Sequence, residues 1–240
     1  QIPAPAVCPA CQFAGISYRG LGTQRLEAEV RARFPGVRCL RMDSDTMQSR
    51  GAHERALDAF RSGEVKILLG TQMIAKGLDF PNVTLVGVLN ADTGLNRPDF
   101  RASEQTFQLL TQVSGRAGRA DRPGRVIVQT YNPEHPAIAA ASRHDYSEFY
   151  HRELASRREN GYPPFSSLAR IAFADSDAEQ VARVAARAAA ALEQSGVARG
   201  RGEVHYLGPV EAPLHKLRGQ FRFHMLIKGP DPARIRRALD

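Results

Sequence analysis

The sequence predicts an α/β fold built on a parallel sheet, followed by a smaller α+β domain. Two observations carry that reading. Up to about residue 145, runs that are apolar on both faces alternate with amphipathic helical patterns, as strands covered by helices on two sides do. Beyond it, the stretch QFRFHMLIKG alternates apolar and polar residues with a period of two, the pattern of a half-buried strand.

Taken in order, Leu26, Val30 and Phe34 recur at helical spacing after Thr23, and the run from Val37 to Met42 reads as a strand. Ala56, Leu57 and Phe60 share a face of a second helix; Val65 to Leu69 is a strand, and Val83 to Leu89 a nearly unbroken buried one. Phe107, Leu110 and Val113 mark a helix and Val126 to Val128 a strand. Helical periodicity then fits Tyr146 to Arg158 until Gly161-Tyr162-Pro163-Pro164 breaks it. A strand from Leu168 to Phe173 leads into Ser176-Asp177-Ala178-Glu179, a capping box. The helix it opens would bury Val181, Val184, Ala185, Ala188 and Leu192. EVHYLGP and QFRFHMLIKG are strands, the second with Phe221, Phe223, Met225 and Ile227 inward and Arg222, His224 and Lys228 on its other face. The boundary falls between residues 145 and 160, giving domains 15–145 and 146–240 with no internal repeat.

Composition is globular, with 42% hydrophobic and 24% charged residues and no tryptophan in a chain of 240. Nothing resembles a signal peptide or a twenty-residue apolar run, so a soluble cytoplasmic protein is expected, with no membrane partner. Lys and Arg total 33 against 25 Asp and Glu, a net +8 that suits a polyanion and equally an arginine-rich genome. Gln1 and the extended Ile2-Pro3-Ala4-Pro5 lead-in are expected of a piece of a longer chain. Cys8 and Cys11 form CPAC, half of a four-ligand zinc site, with free thiols as the alternative; Cys39 stands alone in an apolar context.

The stretch TQVSGRAGRADRPG carries the sharpest chemistry. On a helix, Gln112, Arg116 and Arg119 share a face, while Leu109 and Val113 share another that anchors it. Gly115 and Gly118 remove side chains that would hold a bulky ligand away. Planar, permanently charged arginine forks suit phosphoryl oxygens. A second stretch, GTQMIAKGLDFPNVTLV, places Gly70 and Thr71 where a strand hands over to a helix, a place that grips phosphate. Lys76 and Gly77 end that short helix, and Asp79 follows.

These two stretches resemble motifs V and VI of superfamily 2 helicases. With DFRASEQTFQLL, ELASRRENGYPPFSSLARI and YLGPVEAP added, nearly the whole chain resembles the C-terminal half of the PriA family of primosomal replication-restart helicases. The resemblance implies a RecA-like second helicase lobe over residues 15–145, a C-terminal domain over 146–240, and in residues 1–14 the remnant of a zinc-binding insertion. Arg116 and Arg119 would then face ATP, with Gln112, Gly115, Gly77 and Asp79 at the nucleotide cleft. Thr71, Gln72 and Lys76 would contact DNA, Lys216, Arg218 and Arg222 would add cations for DNA or an acidic tail, and Cys8 and Cys11 would hold zinc. Implied too are ATP, Mg²⁺ and Zn²⁺ in the intact protein. The implied partners are forked and single-stranded DNA, the tail of the single-stranded-DNA-binding protein and other primosome proteins, with a monomeric, nucleoid-associated bacterial protein expected.

The departures matter equally. Nowhere is there G-x-x-x-x-G-K-[ST], and no Asp-Glu magnesium motif follows a strand. These 240 residues alone should not hydrolyse ATP. Two readings follow: the second lobe and C-terminal domain of a 3′ to 5′ helicase, or a non-hydrolysing DNA-binding scaffold. A generic branch-migration lobe is a third, opposed by the YPPF region. The seven histidines form no ligand cluster. Asp43 and Asp45 are expected as turn or cap residues. Tyr131, Tyr146, Phe149 and Tyr150 could stack on bases, though packing between domains suits Tyr146 and Tyr150 better.

Overall fold

The computed structural model describes residues 22–43, 46–47, 51–71, 82–115, 124–200 and 202–239. They belong to two compact units, one of residues 1–86 with 112–126, the other of 87–111 with 127–240.

In the first unit, helix α1 (Thr23–Arg33) lies along strand β1 (Cys39–Met42), which pairs in parallel with β2 (Ile67–Gly70) in the register Cys39 to Ile67. Helix α2 (Ala52–Arg61) joins the two strands, and Gly51 enters it at φ 75°, a conformation that favours glycine. Its apolar stripe is short: Ala56 and Leu57 are buried and pack with Met42, Leu40, Phe60, Leu68 and Val83. That stripe matches the spacing expected from the sequence, and the parallel crossover is the one predicted.

Strands β3 (Leu85–Val88) and β4 (Arg125–Val128) form another two-stranded sheet. Arg125 N donates to Thr84 O at 2.9 Å and Gln129 N to Val88 O at 2.8 Å, so both strands advance in the same direction. A short helix α3 (Asp92–Leu95) and the longer α4 (Ala102–Ser114) lie between them in sequence.

The second unit has two cores. One gathers Ala91, Phe107 and Leu110 with Ala137, Ile138, Ala140 and Ala141 of α5 (Pro136–Ser142) and Phe149 of α6 (Tyr146–Glu159). Helix α5 was not expected from the sequence, because its alanines show no apolar periodicity. Its signal was Pro136 at the first turn behind His135, whose Nδ1 accepts from Ala137 N.

The other core lies under a four-stranded sheet of order β5–β8–β7–β6, formed by β5 (Ser167–Asp175), β6 (Ala198–Arg199), β7 (His205–Leu217) and β8 (Gln220–Gly229). Helices α7 (Ala178–Gln194) and α8 (Pro232–Arg237) supply Ala189, Leu192 and Ile235 to Met225 and Ile227, the last two wholly buried. The expected alternation of β8 is present at Met225 and Ile227, while Phe221 and Phe223, nearer the hairpin, are only partly buried and lie outside that core. Strand β7 runs on to Leu217, beyond the EVHYLGP expected, with register shifts after Leu207 and Glu211. Gly208 sits at the first shift with φ 97°, where a Cβ would come 3.0 Å from His224 O.

Two expectations about α7 need correction. The cap is Asp177, which accepts from Glu179 N and Gln180 N, and not Ser176. The buried face runs through Val181, Ala185, Ala189 and Leu192, leaving Val184 40% exposed, because the i, i+4, i+8 row rather than i+3 faces the sheet.

Candidate functional site

Of the residues expected to face nucleotide, Gln112 and Gly115 are described, both at the end of α4. Phe107, Leu110 and Val113 are buried and hold the helix, as their spacing predicted, while Leu109 is only partly covered. Gln112 is half-buried two residues from the helix end, and Gly115 follows Ser114 in the open. A half-buried amide beside an exposed residue without a side chain leaves room for a bulky anionic ligand to approach the backbone. Arg116 and Arg119 come next in sequence and lie outside the described residues. So does the continuous helical face that was expected to join them to Gln112, since α4 ends at Ser114.

On the motif V side, β2 ends at Gly70 and Thr71 is exposed directly beyond it. This is the strand exit expected from the sequence. Gln72, Lys76, Gly77 and Asp79 lie outside the described residues, as do Cys8, Cys11 and Asp45. Among the described residues no group of three or more His, Cys, Asp or Glu could hold a metal. Cys39 is buried, and burial first, then the Glu27 carboxylate, push its thiol pKa up. That suits a packed core thiol.

The cations of the C-terminal sheet divide. Strands β7 and β8 are joined by Arg218 at φ 51° and Gly219 at φ 82°, with Leu217 opposite Gln220. Two left-handed residues in a two-residue loop make a type I′ hairpin. Lys216 pairs with Phe221, and its Nζ stands 4.3 Å from that ring's centroid. Arg222 is on the opposite face by strand alternation, with His224. Arg170 pairs with Leu226 and so shares that second face. The sequence grouped Lys216, Arg218 and Arg222 as one set, but only the first two share the hairpin end. Burial, then the charges of Arg170 and Arg222, lower the pKa of His224 below that of ordinary histidine, so it is neutral at pH 7.

Two carboxylates serve structure. Asp43 is 6% exposed and accepts from Thr23 Oγ1 at 2.7 Å, from Thr46 N at 3.0 Å and from Arg41. The Thr23 hydroxyl above all, with Thr46 N and the Arg41 charge, holds its pKa down to about 2 against the cost of burial. It is the turn aspartate that MDSDT suggested, and its bond to Thr23, twenty residues away, had no local signal. Asp92 accepts from Tyr131 N at 3.0 Å and Thr130 Oγ1 at 2.9 Å, tying α3 to the exit of β4. The Tyr131 amide chiefly, then the Thr130 hydroxyl, keep its carboxyl below the usual range.

The aromatic residues redistribute as well. Phe149 is buried, whereas Tyr146 is 65% and Tyr150 45% exposed, so the packing expected of the two tyrosines leaves much of both rings open. Tyr146 and Phe149 are three apart on α6 and both meet the Phe107 ring, Phe149 stacked flat on it and Tyr146 tilted against it at 6.2 Å between centroids. Tyr131 is 79% exposed. No helix among the described residues is long and apolar enough to cross a membrane.

Comparison with known proteins assigns both halves. Residues 19–121 match the helicase conserved C-terminal domain, and residues 158–240 match the primosomal protein N C-terminal domain. The fold is accordingly a RecA-like second lobe followed by a small α+β domain. The chain is 49% identical over 226 residues to the replication restart protein PriA of Bacillus subtilis (strain 168), covering 94% of this chain and 28% of that protein. It is 43% identical over 230 residues to its counterpart in Treponema pallidum (strain Nichols), covering 96% of this chain and 34% of the relative. Identity to the Haemophilus influenzae protein is 38% over 239 residues, the whole of this chain and 32% of that one. The chain thus spans about a third or less of the relatives it matches.

Proposed function

Because the chain belongs to the PriA family of replication restart proteins, and matches their C-terminal portion, we propose that it is the second motor lobe and C-terminal domain of an ATP-dependent DNA helicase. Joined to a first lobe, it would bind forked DNA, move 3′ to 5′ along single strands and help to reload the replicative helicase. The supporting observation is the end of α4, where a half-buried Gln112 and an exposed Gly115 immediately precede the GRAGR arginines.

Arg116 and Arg119 would direct guanidinium forks at phosphoryl oxygens of ATP, countering the charge that grows during γ-phosphate transfer. Gln112 would line the same cleft, and Gly77, Asp79 and Gly115 would border it. Residues of the first lobe would hold Mg²⁺, which would supply positive charge against the phosphates. Thr71, Gln72 and Lys76 would touch the DNA backbone. Lys216 and Arg218 at the hairpin end, and Arg222 on the outer face, would supply phosphate contacts or meet the acidic tail of the single-stranded-DNA-binding protein. Cys8 and Cys11 would give two of four thiolates to a zinc ion.

The test is ATP hydrolysis by the full-length polypeptide with and without forked DNA, beside its Arg119→Ala variant. DNA-stimulated turnover that disappears in the variant supports the motor. Turnover that persists in the variant removes the assigned role of Arg119, and fork binding without any turnover supports a scaffold instead.

A further inference from the structure

Helix α4, which runs into the arginine motif, is gripped by the C-terminal part of the chain. Arg157, near the end of α6, donates through Nη2 to Glu104 Oε2 at 2.7 Å and through Nε to Glu153 Oε1 at 2.8 Å. Its side chain is only 15% exposed and that of Glu153 16%, while Glu104 is 37% exposed. Burial works against the Arg157 charge, and the hydrogen bonds to Glu104 and Glu153 more than offset it, raising its pKa. The guanidinium also stands 5.1 Å from the centroid of Phe100, just ahead of α4. Phe100 stacks on Tyr162 at 5.4 Å with 13° between the planes. On the far side, Lys228 of β8 places Nζ 4.4 Å from the Tyr162 ring and donates to Asn160 O at 2.7 Å. Cation, ring, ring and cation thus form a continuous strut from α6 through the entry of α4 to β8.

The strut grips one side of the helix. Glu104 and Phe107 are i and i+3, so they project together. Phe107 lies flat on Phe149, with centroids 4.2 Å apart and planes 3° apart. A helix held at Glu104 and Phe107 cannot turn about its axis, and at 3.6 residues per turn that sets the direction of Gln112. A nearly buried guanidinium shared by two carboxylates contributes little net stability compared with apolar packing of the same volume. Its consequence is a defined geometry.

We propose that Arg157 is a positioning residue for Gln112: through Glu104 and Phe100 it holds α4 in the rotation that presents Gln112 to nucleotide. This rests on the motor reading above. It also makes the C-terminal domain part of the machinery that couples DNA to hydrolysis, since the strut ends on β8.

The experiment uses the full-length protein and its variants Arg157→Ala, Arg157→Lys, Glu104→Gln and the reversed pair Glu104→Arg with Arg157→Glu. For each, kcat and KM for ATP with saturating forked DNA, DNA affinity and thermal unfolding are measured. Arg157→Ala should lower kcat about ten- to a hundredfold, the size of loss a small misplacement of catalytic groups causes. KM and DNA affinity should stay within about twofold if only transition-state contacts are lost. Lysine should rescue poorly, because one ammonium cannot reproduce the fork, and the reversed pair should recover most of the loss. Glu104→Gln keeps the shape of α4 and should show the same kcat defect in milder form. The inference is overturned if Arg157→Ala and Glu104→Gln retain the parent kcat, or if kcat, DNA affinity and unfolding temperature fall together. Arg119→Ala separates the two failures: turnover in that variant sinks the motor reading, whereas an inactive Arg119→Ala beside a fully active Arg157→Ala sinks only the role of Arg157.

Discussion

Phe107 of α4 and Phe149 of α6 lie ring on ring, 4.2 Å between centroids and 3° from parallel, and each is 4% exposed. The pair joins the helicase-matched segment to the helix that leads into the C-terminal domain. Phe149→Ala would leave a cavity that neighbouring Ala137, Ile138 and Ala141 are too short to fill. The expected cost is about 3–5 kcal/mol in urea unfolding, with Phe149→Leu costing less, since it keeps most of the volume.

Asp43 predicts acid sensitivity in the first unit. Its carboxyl is held at about 2 in the fold against an ordinary value of 3.8. The unfolded state therefore binds the proton first, and stability present above about pH 4 is lost as pH falls towards 2. Asp43→Asn should lower stability at neutral pH and flatten the acid limb of the unfolding-midpoint profile. An unchanged acid limb would mean that the Thr23 and Thr46 bonds do not persist in solution.

The cap of α7 gives a cleaner comparison. Asp177 Oδ1 accepts from Glu179 N at 2.8 Å and from Gln180 N at 3.3 Å, and Ser176 has no such bond to the helix. Asp177→Ala should cost about 1 kcal/mol, and Ser176→Ala should be close to neutral. Equal losses would restore the capping box that the sequence suggested.

Legibility followed locality. Strands β1 to β4 were recognisable because apolar runs between helical stripes need no knowledge of partners, although β3 is not the buried strand expected, with Leu85 58% exposed; the strand exit at Thr71 and the helix end at Gly115 were recognisable because glycine and lost periodicity punctuate them. Helix α5 escaped because PAIAAAS offers no contrast between faces. The cap shifted by one residue because serine and aspartate are equivalent in propensity, and only backbone geometry at 177 decides. Wholly illegible were the pairings of Thr23 with Asp43 and of Glu104 with Arg157, twenty and fifty-three residues apart. Such partners are chosen by tertiary packing, and a charged residue on a helix face has many candidates within reach.

His224 should report on the outer face of the C-terminal sheet. Burial, Arg170 and Arg222 together lower its pKa, so the unfolded chain takes up a proton at a higher pH than the folded one. The stability it contributes is fully present above about pH 6.5 and declines as pH falls below that value. In NMR titration, Arg170→Ala with Arg222→Ala should raise the His224 pKa. A titration unmoved by losing both arginines would leave burial as the whole cause.

Arg218 permits a test of DNA contact that separates charge from fold. It occupies the first position of a type I′ loop at φ 51°, followed by Gly219 at φ 82°. Alanine there would strain the backbone as well as remove the cation, so a loss of binding would have two causes. Asparagine tolerates the left-handed conformation, and Asn-Gly is the pair such hairpins favour. Arg218→Asn should therefore keep or raise thermal stability while deleting one charge. If Arg218 meets a phosphate, affinity for forked DNA falls, and the slope of log affinity against log salt becomes shallower by about 0.7 to 0.9. Lys216→Gln should act similarly, because Lys216 shares that hairpin end and its ring contact with Phe221 is one-sided. An unchanged slope in Arg218→Asn would place the phosphate contacts elsewhere, with Arg222 and Arg170 on the opposite face the next residues to replace.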